Sequence, residues 1–96
     1  MELNKIQNKA IEVVKARCKR RNVERDADIL MIHLMEESGE LAKQIINKKL
    51  KGKEIDLKNI GEEVSDCIII LMNLADYYKI DLEKVLTEKI EGINKK

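Results

Sequence analysis

The chain has no proline, no tryptophan and no phenylalanine, and its only aromatic residues are Tyr77 and Tyr78. With four glycines in 96 residues, it lacks the turn chemistry of a many-stranded sheet, so the expected fold class is all-α. The two cysteines, Cys18 and Cys67, lie far apart and form no CxxC pattern, which argues against a disulfide framework and a thiolate metal site. The one histidine, His33, has Leu30 three residues before it and Glu36 three after, so the Glu-x-x-His pairs of di-iron bundles are absent. The longest apolar run, 67–72, has six residues, far short of the roughly 20 needed to span a bilayer. The N-terminal stretch carries Glu2 and no hydrophobic signal core. A cytoplasmic protein with no membrane partner is expected.

What remains is a mixture of 44% apolar and 39% charged residues, the composition of amphipathic helices rather than of a disordered chain. The net charge is +1, but residues 1–25 hold eight Lys or Arg against three acids, while residues 26–42 hold five acids and no Lys or Arg. The length suits one domain over 1–96, and a chain this short covers its apolar surface poorly when alone, so homo-oligomerisation is expected.

Apolar periodicity and capping residues place four helices. The first covers about 4–20, with Ile6, Ala10, Val13, Val14 and Arg17 as its inward stripe. Asp26 caps a second that continues to about 49, with Leu30, Leu34, Leu41 and Ile45 on its apolar face. Residues 50–54, with Gly52 among lysines, read as a loop. Asp56 caps a third helix to about 78, residues 79 and 80 form a tight connection, and Asp81 caps a last helix over 82–93.

The chemistry sits in two pairs of carboxylates with three-residue spacing, Glu37 with Glu40 in EESGE and Glu63 with Asp66 in EEVSD. On a helix such pairs stack one above the other, presenting two oxygen ligands in one direction at a repulsive cost of roughly 0.2–0.5 kcal/mol per pair. His33, Glu36, Glu37, Glu40 and Gln44 project from about a third of the second helix, which alone reads equally well as a solvated face. The third helix favours a site. Residues 64–75 are apolar nearly all round, as in a buried helix, yet Asp66 and Asn73 share a face with Glu63, and no Lys or Arg lies between Lys58 and Lys79. Buried carboxylates pair, take up protons or bind metal, so the alternatives are a metal site and a structural polar cluster. With only oxygen donors at hand, Mg²⁺ fits, with Mn²⁺ as a substitute, and zinc and copper do not.

EESGE, 22 residues, then EVSD resembles the EExxE…ExxD signature of the MazG-like nucleotide pyrophosphohydrolases, of the all-α NTP pyrophosphatase superfamily. The segments GELAKQIIN and DCIIILMNLADYYKIDL and the lysine-rich end from Lys89 extend the likeness over most of 26–96. The resemblance implies a four-helix MazG-like bundle completed by homo-oligomerisation, as a homodimer or homotetramer. It also implies Mg²⁺-dependent hydrolysis of a nucleoside triphosphate to monophosphate and pyrophosphate, as nucleotide-pool house-cleaning. It places the metal on Glu37, Glu40, Glu63 and Asp66, gives Glu36 a supporting or water-orienting role, and puts Asn73, Lys89 and Asn94 where the family contacts substrate and phosphate. Four carboxylates repel a triphosphate unless cations bridge them, and Glu36 or Glu37 is then the candidate general base for water.

Two other readings compete. In the first, a non-enzymatic helical module binds partners or nucleic acid through Lys15, Arg17, Lys19, Arg20, Arg21 and Arg25. No aromatic residue interleaves with these cations, so nucleic acid is not the expected partner. In the second, the chain is a phosphoribosyl-ATP pyrophosphatase-like enzyme, which has a similar acidic signature.

Overall fold

The structure is a computed structural model that describes residues 2–95. Its helices are α1 (Leu3–Arg20), α2 (Ala27–Lys51), α3 (Leu57–Tyr77) and α4 (Leu82–Asn94), with no strand among the described residues. Three of the four starts are fixed by an aspartate in extended backbone. Asp26 accepts from the Ile29 amide at 3.0 Å, Asp56 from Lys58 and Asn59 at 3.1 and 3.2 Å, and Asp81 from Lys84 at 3.2 Å. Each carboxylate satisfies amides that a helix start leaves without partners, contributing about 1 kcal/mol. α2 runs two residues beyond the expected 49 because Lys48, Lys49 and Lys51 are good helix formers placed favourably at the negative end of the helix dipole. It stops at Gly52, whose φ of 66° is the left-handed conformation and whose amide returns to the Lys48 carbonyl at 3.1 Å.

α3 is the central element, packing on α2 along one side and α1 along another, while α4 meets the body chiefly through α3. The core joins Val14 and Cys18 of α1, Leu30 of α2 and Ile70 of α3, with Leu34, Ile69 and Leu74 against them. Leu30 is 1% exposed, and burial of a leucine contributes about 1.5–3 kcal/mol. The stripe that α1 buries is Gln7, Ala10, Val14 and Cys18, turned slightly from the expected one, and Ile6 and Val13 stay 56% and 53% exposed. The rotation brings in a polar residue that a count of apolar positions passes over. Gln7 is buried because its Nε2 donates to the Met72 carbonyl at 3.2 Å, which offsets the loss of water.

A second polar link ties α1, the α1–α2 connection and α3 together. Arg25 donates through Nη1 to the Asn73 carbonyl and Oδ1, at 3.3 and 2.9 Å, and through Nη2 to Asp76 Oδ2 at 2.8 Å. Asn73 Nδ2 donates to the carbonyls of Ala10 and Ile69 at 3.1 and 2.9 Å.

Within the single chain the apolar surface of α3 is only partly covered, and the burial expected of such a helix is incomplete. Val64, Ile68 and Leu71 are 39%, 47% and 46% exposed, because α1 and α2 cover only two sides of α3 and α4 departs after Tyr77. Further large apolar residues lie open on α2 (Met35, Ile45, Ile46) and on α4 (Val85, Leu86, Ile90, Ile93). The accessible area is 7569 Å², against about 5,700 Å² for a compact monomer of this length. The radius of gyration is 15.7 Å, against about 12.5 Å for a compact domain. Among the described residues no helix is long and apolar enough to cross a membrane.

Candidate active site

α2 and α3 pack along their length, and the carboxylate pairs of the two helices meet where Glu37 faces Glu63 and Asp66. Oxygens of these three residues lie within 4.8 Å of one another. Glu37 and Glu63 are half-buried and Asp66 is exposed. Glu63 Oε2 is closed off from solvent and has no hydrogen-bond partner. The carboxylates of Glu37 and Asp66 lie close by, and two carboxylates offer each other no donor, so a proton or a cation between them would relieve the repulsion. This orphaned oxygen, within an all-oxygen donor set, fits a hard divalent cation.

The electrostatics have the same origin. Glu63 is pushed up from 4.5 to about 7, first by a proton shared with the Glu37 carboxylate, then by loss of water, then by the charges of Glu37, Asp66 and Glu40. Burial, followed by the charges of Glu37, Glu63 and Asp66, pushes the neighbouring Cys67 thiol up, which lowers its reactivity as a thiolate. Because folded Glu63 keeps its proton to higher pH than unfolded Glu63, its contribution to stability is full below about 4.5 and is lost as pH rises through about 7. The melting temperature of the metal-free wild type is therefore expected to fall relative to that of Glu63→Gln between about pH 5 and 7.5. Paired thermal melts across that range check this, and parallel profiles would contradict it.

A cavity of about 120 Å³ opens beside the cluster between α1, α2 and α3. Val13, Val14, Leu30, Ile69 and Ile70 form its apolar walls, and Arg17, His33, Glu37 and Asp66 supply its polar groups. His33 is thus placed on the rim of the acidic site.

The other expected site residues are placed differently. Glu40 lies outside the group of three, although its charge reaches Glu63. Glu36 is exposed, one residue and so about 100° around α2 from Glu37. Lys89 and Asn94 lie exposed on α4 and do not line the cavity. For Asn73 the expectation of a substrate contact meets a different finding. The residue is 0% exposed and its amide is committed to Ala10, Ile69 and Arg25, so within this fold it holds helices together. It shares a helix face with Asp66, but α1 is in direct contact at the Asn73 end, through the Ala10 carbonyl, and stands across a cavity at the Asp66 end. Arg25, counted in the basic segment, is turned inward onto Asn73 and Asp76. Residue-type patterns gave no sign of the Arg25–Asn73–Asp76 link, whose partners lie 48 and 51 residues apart in sequence.

The fold and the site define an all-α protein with a carboxylate cluster set between two packed helices. Residues 25–96 match the family described as MazG nucleotide pyrophosphohydrolase domain, and the chain belongs to that family. The match spans α2 to α4 and begins after α1. No curated protein and no solved structure matches the chain.

Proposed function

We propose that the chain is a Mg²⁺-dependent nucleoside triphosphate pyrophosphohydrolase that converts an NTP or dNTP and water to the monophosphate and pyrophosphate, in nucleotide-pool house-cleaning. The observation that carries this reading is the meeting of Glu37, Glu63 and Asp66 around an unpartnered carboxylate oxygen, in a chain whose family is described by nucleotide pyrophosphohydrolysis. Glu37, Glu63 and Asp66 would hold Mg²⁺ or Mn²⁺, and the nearby charge of Glu40, which reaches Glu63, would add to the field that attracts it. The cation would neutralise phosphate oxygens and acidify a water.

The chain's own groups then have definite tasks. Glu63, whose proton affinity is raised by Glu37 and its acidic neighbours, would have to be ionised to serve as an anionic ligand. Glu37, or Glu36 beside it on α2, accepts the proton of the attacking water. The water oxygen bonds to phosphorus, the α–β phosphoanhydride bond breaks, and pyrophosphate leaves with the bonding electron pair. The apolar walls of Val14, Leu30 and Ile70 keep bulk water from the inner side of the cluster, strengthening each charge interaction there.

The exposed apolar faces of α3 and α4 support assembly as a homodimer or homotetramer, which would also offer Lys89 and Asn94 a route to a site on a second copy. Sedimentation equilibrium at micromolar concentration is expected to give a dimer or tetramer, and a monomer would contradict this part of the reading.

The activity is tested with a panel of NTPs, dNTPs, modified nucleotides and phosphoribosyl-ATP in Mg²⁺. Pyrophosphate and monophosphate are expected in equal amounts, with no turnover in a chelator. Release of orthophosphate, or no turnover across the panel, would overturn the proposal. Turnover of phosphoribosyl-ATP alone would transfer it to that related enzyme class.

A further inference from the structure

A triphosphate held by carboxylate-bound cations still carries negative oxygens that water must solvate or a protein cation must meet. α2 carries no Lys or Arg over 26–42, and α3 carries none between Lys58 and Lys79. Two of the three walls around the cluster therefore supply no Lys or Arg, and His33 of α2 is the one other nitrogen base among the lining residues. The third wall is α1, and Arg17 is the one Lys or Arg among the residues lining the cavity that Glu37 and Asp66 also line. Among the described residues its guanidinium makes no hydrogen bond and no ion pair, whereas Arg25 is fully engaged with Asn73 and Asp76. Arg17 is thus held by its helix beside a cluster of carboxylates without being consumed by them.

The size of the space decides what belongs there. A cavity of about 120 Å³ is smaller than the ~150 Å³ that takes one benzene ring. It has room for a phosphate group of five heavy atoms and none for a nucleoside. A planar guanidinium is also the side chain best matched to two oxygens of one phosphate.

We propose that Arg17 is a phosphate-binding residue of this site, donating from its guanidinium to the substrate's phosphate chain, and to the pyrophosphate product, beside the Glu37–Glu63–Asp66 cluster. The inference rests on the pyrophosphohydrolase reading and extends the site to α1, outside the part of the chain that the family match covers. The apolar residues around Arg17 then serve to hold α1 at the right distance, and the nucleoside lies outside the cavity, toward solvent or a second copy.

The test compares the wild type, Arg17→Gln and Arg17→Lys in the full chain. Calorimetry measures the affinity for inorganic pyrophosphate in Mg²⁺, and kinetics separates KM from kcat on the nucleotides turned over. Arg17→Gln is expected to weaken pyrophosphate binding and raise KM by about tenfold to a hundredfold, the range for a charged hydrogen-bonding partner. Arg17→Lys should recover part of both, and Mg²⁺ binding without phosphate should persist in either variant. If Arg17 only offsets carboxylate repulsion, Arg17→Gln will bind Mg²⁺ more tightly with pyrophosphate affinity and KM unchanged, which overturns the inference. A wild type that turns over no nucleotide but binds pyrophosphate through Arg17 would retire the hydrolase reading and keep the phosphate site. Equal pyrophosphate affinities in wild type and Arg17→Gln overturn the inference whatever the turnover.

Discussion

Glu63→Gln is expected to lower Mg²⁺-dependent turnover by about a hundredfold or more while leaving the metal-free fold as stable as the wild type or more so. The two effects have one cause. Glu63 faces Glu37 with an oxygen that has no donor, and the charges around it make its ionised form costly. An amide at this position donates to Glu37 and removes the repulsion. The same change takes away an anionic ligand, and a cation's contribution to phosphoryl chemistry is several kcal/mol, each 1.36 kcal/mol being tenfold in rate. Activity and melting temperature, measured on one preparation at pH 7.5 or above, should therefore move in different directions. Near-normal turnover would show that Glu63 is not in the working site, and a large loss of metal-free stability would show that its carboxylate holds the fold.

Asn73→Ala is expected to cost stability first. The side chain is fully buried and bridges α1, α3 and Arg25, and its removal withdraws hydrogen-bond partners and leaves a cavity. A loss of about 2–3 kcal/mol follows from unsatisfied buried groups, and for a domain of this size that lowers Tm by about 10 °C or more. Differential scanning calorimetry measures it. A Tm within a few degrees of wild type, with a raised KM, would return Asn73 to the role of substrate contact.

These two residues illustrate what could be read from the sequence. The helix starts were legible because a capping aspartate acts on amides two or three residues away, so Asp26, Asp56 and Asp81 announce their helices locally. Glu63 and Asp66 were legible as a directed pair for the same reason, since their spacing fixes a common face. The end of α2 was less so. A lysine-rich stretch resembles a loop by composition, yet lysine continues a helix readily, and the stop is the left-handed Gly52.

Which part of a face is covered depends on where helices cross, and that is not local. Asn73 and Asp66 share a face of α3, but α1 touches one directly and faces the other across a cavity. Gln7 and Asn73 are buried, and Arg25 is half-buried, because each found a partner on another element. Arg17 was expected in an inward stripe but is exposed, and its place on the cavity with carboxylates of two other helices required the packed structure. The excess exposed surface of α3 has a similar explanation, since apolar periodicity says that a face will be covered without saying by which chain.

If Glu37, Glu63 and Asp66 form a divalent cation site, as proposed, the raised proton affinity of Glu63 couples metal binding to proton release. Calorimetric titration of Mg²⁺ into the wild-type protein at about pH 6.5, repeated in buffers of different ionisation enthalpy, tests it most directly. Saturable binding with release of a proton is expected, with binding weakened by at least tenfold in Glu63→Gln. No saturable binding by the wild type, or equal binding by Glu63→Gln, would contradict it.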